Sequence, residues 1–370
     1  MSRKTKIAVV GLGKMGLSHF SIVNAHPDVD CVACDATGFL IDVLGKNLPN
    51  TLYKSYDKML AEETLDAVVI ATPSRHHASM VRAALERGIH VFCEKPFCLD
   101  WREGDALASL AEEKGLIGQV GYHYRYVGAF KEMQKVLASG ALGDIHHILA
   151  EAYGPVVLRP KRQTWRTQKA EGGGCLYDYA AHPLNLLNWV FGTPERVSGS
   201  HLNSIFSAGT DDEVLSTLKF PGGQLAQLSV NWSDESHRKM STKISLIGTN
   251  GRMNVDRQEC QIYLRKASDA LPDYGAGWSV RYTTDLTEDP WFYLRGEEYS
   301  AQIADFVEAV AAGETRAREN DFRSAAMTDQ TIAMIVDDAG NPGTASVTPA
   351  PAVVAGKTEG GRGWRSLFGR

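Results

Sequence analysis

Two short stretches hold the side chains best suited to chemistry. In VFCEKPFC (residues 91–98) an acid, Glu94, and a base, Lys95, stand side by side at the end of an apolar run, with Pro96 directly after them. Burying a charge without a partner is costly, so the pair marks either a surface bend or a working site. In CLYDYAAHPLNLLNW (residues 175–189) Asp178 precedes His182 by four residues. On a helix this spacing puts both on one face. They could be a solvated surface pair, two metal ligands, or parts of a proton-transfer site, since imidazole titrates near neutrality. A metal would need a third ligand, and the sequence offers none that is credible, so no metal is expected. Pro183 must either distort the helix or sit in its first turn, because proline clashes with the preceding turn.

A third constellation points to a dinucleotide. VVGLGKMG places Gly11, Gly13 and Gly16 between an apolar run and a helical pattern. In that context the first glycine permits a tight turn, the second lets backbone approach a pyrophosphate, and the third lets helix and strand pack closely. Lys14 and Met15 open the helix on which the phosphates would rest. Asp35 ends the second apolar run about 20 residues later, where a carboxylate accepts hydrogen bonds from ribose hydroxyls and repels a 2′-phosphate. Ala36 and Thr37 supply no arginine for that phosphate, so NAD is expected over NADP. Thr72 and Pro73, in ATPSRHH, fall at the end of the fourth strand and are read as lining the nicotinamide ribose. His76 either joins them or simply begins a solvated helix. Glu94 and Lys95, ending the fifth strand, border the same space.

The elements that must position these residues follow a clear rhythm. From Lys6 to about Gly121, short apolar runs (KIAVVG, VDCVACD, LDAVVIAT, GIHVFCEK, GLIGQVGY) alternate with helical patterns. Strands that are apolar on both faces and alternate with helices predict a doubly wound parallel sheet. After about Tyr126 the pattern changes to one helix, a strand, a basic loop, the Asp178–His182 helix and then several strands in succession. FPGGQ and GTNGR serve as hairpin turns. This predicts an α+β second domain with a large, mostly antiparallel open sheet, closed by two helices near residues 297–313 and 320–340. The expected division is 1–122 for the NAD-binding domain, 123–340 for the substrate and oligomerisation domain, and 341–370 for a disordered tail.

The composition suits a globular protein and excludes several classes. The chain has 370 residues, 44% hydrophobic and 22% charged, with a net charge of -5. Nothing in that balance draws it to nucleic acid or to an anionic membrane. No apolar run approaches the roughly 20 residues of a membrane span. MSRKTKIAVVGLG reads as a first strand rather than a signal peptide. The six scattered cysteines suit reduced thiols and a cytoplasmic setting. Cys31 and Cys34 form a CxxC, but no second pair answers them.

GLGKMG, ATPSRHHASMVRAALERGIHVFCEKP and GGGCLYDYAAHPLNLLNW, in this order, resemble the Gfo/Idh/MocA family of oxidoreductases, and the resemblance covers about residues 5–340. It implies that Lys95, Asp178 and His182 surround a hydride-transfer site and that the Lys95–Pro96 peptide is cis. In such a site His182 would accept a hydroxyl proton while Lys95 stabilises developing alkoxide charge. Asp178 would orient the imidazole or bind a substrate hydroxyl. The chain departs from the family at Asn185, where many relatives carry aspartate.

On the substrate side, Tyr122, His123 and Arg125 can face the cleft. The loop LRPKRQTWRTQKAEGGG brings Trp165 and Arg166 together with Arg159, Lys161, Arg162 and Lys169. Arginine forks suit carboxylates and phosphates, so an anionic sugar substrate is one reading and a solvated basic loop the other. The resemblance implies an NAD(H)-dependent dehydrogenase of a sugar, cyclitol or nucleotide sugar, assembled as a homodimer or homotetramer through its open sheet. Two rivals are an NAD-retaining glycoside hydrolase that uses transient oxidation, and a non-catalytic dinucleotide sensor.

Overall fold

Apolar runs flanked by glycine turns build the first layer. The computed structural model describes residues 3–156 and 165–340. The tail from residue 341 and the loop residues Arg159, Lys161 and Arg162 lie outside the described residues. Strands β1 (Thr5–Val10), β2 (Val29–Cys34), β3 (Leu52–Tyr53), β4 (Ala67–Ile70), β5 (His90–Cys93) and β6 (Gly118–Val120) form one sheet in the order β3-β2-β1-β4-β5-β6. Every pairing is parallel. Helices α1 (Lys14–Ala25), α2 (Gly38–Asn47), α3 (Tyr56–Glu62), α4 (His77–Glu86) and α5 (Trp101–Lys114) make the crossovers. The strand order reverses between β1 and β4, and in such sheets ligands bind in the crevice at the carboxyl ends of these strands.

The second layer is an eight-stranded sheet. Helix α6 (Gly128–Ala138) and strand β7 (Ile145–Tyr153) lead to helix α7 (Ala181–Phe191). Strands β8 (Arg196–Asn203), β9 (Glu213–Lys219), β10 (Leu225–Asn231), β11 (Ser241–Gly248), β12 (Gly251–Asp256), β13 (Glu259–Leu264) and β14 (Gly277–Tyr282) follow. The order is β14-β13-β12-β11-β7-β10-β9-β8, antiparallel except where β7 meets β10. Alternation sets its two faces. Val214, Leu218, Ala226, Leu228, Ile244, Leu246, Met253 and Ile262 point into the core. Leu215, Leu225, Tyr263, Trp278, Val280 and Tyr282 are exposed.

Two short strands, β3 and β14, were not marked by the sequence. The first has only two residues, and the second is half-exposed with aromatics facing out. The first of the last two helices also differs from expectation, since both are expected to close the second domain. Helix α9 (Glu297–Ala311), which follows the short α8 (Thr283–Leu286), instead returns to the parallel sheet. There Ile303, Phe306 and Val307 pack with Ile7, Val9, Phe20 and Ile22. The Phe306 ring meets Phe92 edge-on at 5.8 Å. One face of the parallel sheet would otherwise be left partly uncovered, and the amphipathic α9 covers it. Helix α10 (Phe322–Gly340) packs against α5, α7 and β8, so it bridges the two layers.

Candidate active site

The glycine turn has the shape that a dinucleotide requires. Gly11 has φ +85°, and a Cβ there would lie 2.8 Å from the Ala71 carbonyl carbon and 2.9 Å from Thr72 Cγ2. A Cβ on Gly16 would strike the Gly11 carbonyl oxygen at 1.6 Å, whereas one on Gly13 would meet nothing within 4 Å. Backbone is therefore packed tightly below the turn and open above it, with α1 starting at Lys14 and Met15 in its first turn. Backbone N–H groups at a helix start suit a pyrophosphate. Asp35 braces this turn, accepting from the Leu12 N–H at 2.5 Å and from the Thr37 N–H at 2.6 Å. These residues fit NAD.

Thr72 lies two residues past β4, beside Gly11, and Pro73 is exposed. His76 is exposed and accepts from Arg75 Nε at 3.0 Å. Its neighbour His77 is the buried one, 1% exposed.

At the end of β5 the acid and the base go separate ways. Glu94 turns inward, where its Oε1 lies 2.5 Å from Nε2 of the fully buried His19 and its Oε2 accepts from the Lys95 N–H at 3.2 Å. Burial pushes the Glu94 carboxyl up, but the His19 hydrogen bond and the His19 and Lys95 charges outweigh it and hold the group below the usual range. The Lys95–Pro96 peptide is cis. The turn is then fixed from behind, as Asp329 Oδ2 accepts the Cys98 N–H at 2.9 Å.

The Lys95 ammonium crosses the cleft to the second layer. It donates to Asp178 Oδ1 at 2.8 Å and to the Asp178 carbonyl at 3.0 Å. The other oxygen, Oδ2, accepts from Arg166 Nε at 2.7 Å, with the guanidinium 4.5 Å over the Trp165 ring. Burial raises the Asp178 carboxyl, yet the Lys95 and Arg166 charges and hydrogen bonds prevail and hold its pKa at about 2. Asp178 therefore serves the ammonium and not the imidazole.

Local backbone explains this division. Leu176–Ala180 forms a single π-turn before α7 begins, and such turns concentrate at functional sites. Pro183 lies inside the helical run that continues from the π-turn into α7, and its missing N–H is answered from outside, since the Asp178 carbonyl five residues earlier accepts from the Lys95 ammonium. His182 is 4% exposed, in a box of rings made by Tyr122 at 6.3 Å, His123 at 5.1 Å and Tyr124 at 4.9 Å. Its Nδ1 is buried with no hydrogen-bond partner among the described residues. Burial, and after it the Lys95 charge, holds the imidazole well below its ordinary value.

Of the three substrate-side residues read after β6, two are buried and one keeps part of its surface. His123 is half-buried, stacked on Tyr299 at 4.5 Å. Tyr122 is 1% exposed. Arg125 is buried, donating through Nε to Asn185 Oδ1 at 3.0 Å, and burial lowers its pKa to about 10. Asn185 in turn donates to Thr328 of α10 at 3.2 Å, so both residues hold helices together. The Arg75 guanidinium pairs with the buried Glu171, strapping the loop before α7 over the end of β4.

Sequence reasoning gave no site role to His19, His77, Glu171, Tyr299 or Asp329, because each acts through a partner distant in the chain. The Cys31 and Cys34 thiols are buried in β2, and burial pushes both up to about 12, which leaves them protonated and unreactive.

Asp329 offers a test of this interior. It is 4% exposed, and burial holds its carboxyl well above the usual range. A folded-state pKa raised in this way costs stability as pH rises past the unfolded value near 3.9. Asp329→Asn is therefore expected to gain in melting temperature relative to wild type between pH 5 and pH 8, at up to about 1.4 kcal/mol per pH unit. Calorimetry at the two pH values checks this. A difference that stays flat would mean that Asp329 is ionised in the fold.

Comparison with known proteins finds matches to both layers. The family described as "Oxidoreductase family, NAD-binding Rossmann fold" matches residues 5–122, and "GFO/IDH/MocA C-terminal domain" matches residues 130–254. An uncharacterised oxidoreductase of Rhizobium meliloti is 35% identical over 288 residues, 75% of this chain and 79% of that protein. The 1,5-anhydro-D-fructose reductase of Ensifer adhaerens is 29% identical over 203 residues; the match spans 53% of this chain but only 60% of that enzyme's length. Levoglucosan dehydrogenase in complex with NADH superposes with a TM-score of 0.81 at 21% identity, covering 92% of this chain and 98% of that one.

Proposed function

The chain belongs to the Gfo/Idh/MocA family of NAD-binding oxidoreductases, and on that premise we propose that it interconverts a secondary alcohol and a ketone on a sugar, cyclitol or nucleotide-linked sugar. One observation carries the reading: Lys95, from the parallel sheet, meets Asp178, one turn before His182, in the second layer at the carboxyl ends of the strands. The names of the sugar-acting relatives support the substrate class.

NAD would be held by the turn from Gly11 to Gly16, by Asp35, and by Thr72 and Pro73, and it supplies the hydride acceptor when bound. The protein's own groups do the rest. His182, neutral because it is buried, takes the hydroxyl proton. Lys95 donates a hydrogen bond to the same oxygen and stabilises its developing charge. Asp178 fixes the ammonium's position. Arg166 uses Nε on Asp178, and its remaining N–H groups, with the Trp165 ring, would receive an anionic substituent on the substrate.

A carbohydrate panel followed by NADH absorbance tests the activity, with uronates and nucleotide sugars set against free sugars and neutral cyclitols. Turnover of neutral compounds alone would remove the anionic reading, and no turnover of any compound would remove the dehydrogenase. NADP is expected to bind at least about tenfold more weakly than NAD, the factor that a lost contact of about 1.4 kcal/mol represents. Comparing KM for the two cofactors checks this, and a preference for NADP would refute the role of Asp35.

The apolar outer face of the second sheet, with Trp278, Val280 and Tyr282 exposed, supports pairing between copies of the chain. Sedimentation is expected to show a dimer or tetramer that Trp278→Glu weakens. A monomeric wild type would end that assignment.

A further inference from the structure

His77 has no part in the chemistry proposed above, yet it sits where two working segments meet. Its ring is 1% exposed. Nδ1 lies 2.9 Å from the Pro96 carbonyl oxygen, and Nε2 lies 3.0 Å from the Thr72 carbonyl oxygen. Thr72 lies two residues past β4, against the glycine turn, and Pro96 follows Lys95 just past the adjacent β5. One side chain on the first residue of α4 therefore spans the two strand ends that carry the cofactor wall and the ammonium.

The Glu94 N–H donates to the Ile70 carbonyl at 2.9 Å and so pairs the two strands just before the turn, but the side-chain ties beyond it do not link the two segments. His19 holds Glu94, and Asp329 holds the Cys98 N–H, but neither touches the β4 segment. Burial lowers the pKa of this ring, and a neutral imidazole has one N–H, so one carbonyl accepts that hydrogen and the other is held at contact distance across the width of the ring. Both are backbone carbonyls, so the ring reads the position of the main chain and is insensitive to the identity of the neighbouring side chains.

We propose that His77 is a positioning residue that sets the separation between the Thr72 segment and the Lys95–Pro96 turn, and so places the Lys95 ammonium relative to a nicotinamide bound against β4. The assignment rests on the function proposed above. Reacting groups tolerate little displacement: a shift of about 1 Å can cost about a hundredfold in rate.

Two amide replacements separate the two contacts. An Asn side-chain nitrogen falls near the place of the imidazole Nδ1, so His77→Asn keeps the link to Pro96 and loses the one to Thr72. A Gln nitrogen falls near Nε2, so His77→Gln keeps Thr72 and loses Pro96. NADH affinity is read by fluorescence titration without substrate, and kcat with the panel sugar that wild type turns over best. His77→Gln is expected to lower kcat about tenfold or more with NADH affinity close to wild type. His77→Asn is expected to weaken NADH severalfold while keeping most of kcat.

That crossed pattern is one a purely structural histidine would not produce. Melting temperatures lowered alike in both variants, with affinity and kcat per folded molecule unchanged, would overturn the proposal. If wild type binds NADH but turns nothing over, the functional reading fails by itself. The affinity arm still decides on His77, because equal NADH affinity in all three proteins overturns its role.

Discussion

Lys95→Met is expected to abolish nearly all turnover while the dinucleotide still binds. Methionine nearly matches the length of the lysine stem but offers no donor, so the oxygen that gains charge in the transition state loses its hydrogen bond. Removing one preorganised donor of this kind costs about 10²–10³ in kcat, and a part in proton transfer can add to that. The glycine turn and Asp35 lie on other strands and are not disturbed, so the NADH dissociation constant should stay within about threefold of wild type. The substitution leaves the buried Asp178 carboxylate with Arg166 as its one cationic partner among the described residues. Circular dichroism and a melting curve must therefore accompany the kinetics. A folded variant that keeps about a tenth of wild-type kcat would remove Lys95 from the chemistry.

His182→Ala carries the second large effect, a fall of about 10²–10⁴ in kcat together with a changed pH profile. Burial and the nearby Lys95 charge depress the imidazole pKa. A base with a depressed pKa stays unprotonated as pH falls through the ordinary imidazole value near 6.5, and it loses activity only below that point. The acid limb of kcat/KM for alcohol oxidation should therefore lie below about 6.5 in wild type and vanish in the variant. The Asp178 carboxyl, held at about 2, contributes no limb in the working range. A wild-type limb at or above 6.5, or one that persists in His182→Ala, would assign the proton to another group.

How far the sequence discloses this site depends on the range of the interactions. The parallel sheet was legible because its strands are apolar on both faces and alternate with helices, a local pattern. The glycine turn was legible because only glycine tolerates φ +85° at Gly11 and a carbonyl 1.6 Å from a Cβ at Gly16. The return of α9 was not, because an amphipathic helix does not announce which of two sheets will receive its apolar face. Arg125 was read toward the cleft from its place in GYHYRY, yet Asn185, 60 residues on, and Glu319 draw it inside. Asp178 and His182 were seen to share a helix, but the π-turn and the cations at 95 and 166 decide that the carboxylate serves the ammonium. His19, His77 and Asp329 brace the turn around Lys95 through contacts that span 75, 19 and 231 positions, beyond the reach of any spacing rule.

The central claim is that the Lys95 ammonium and the His182 imidazole converge on one substrate oxygen beside the nicotinamide. A crystal structure with NADH and a carbohydrate that the panel identifies tests it directly. The account predicts a single hydroxyl within hydrogen-bond reach of both groups, about 2.6–3.2 Å, with its carbon facing the nicotinamide ring. A dinucleotide bound at the glycine turn with its ring directed away from Lys95, or a sugar whose hydroxyls meet neither group, would contradict it.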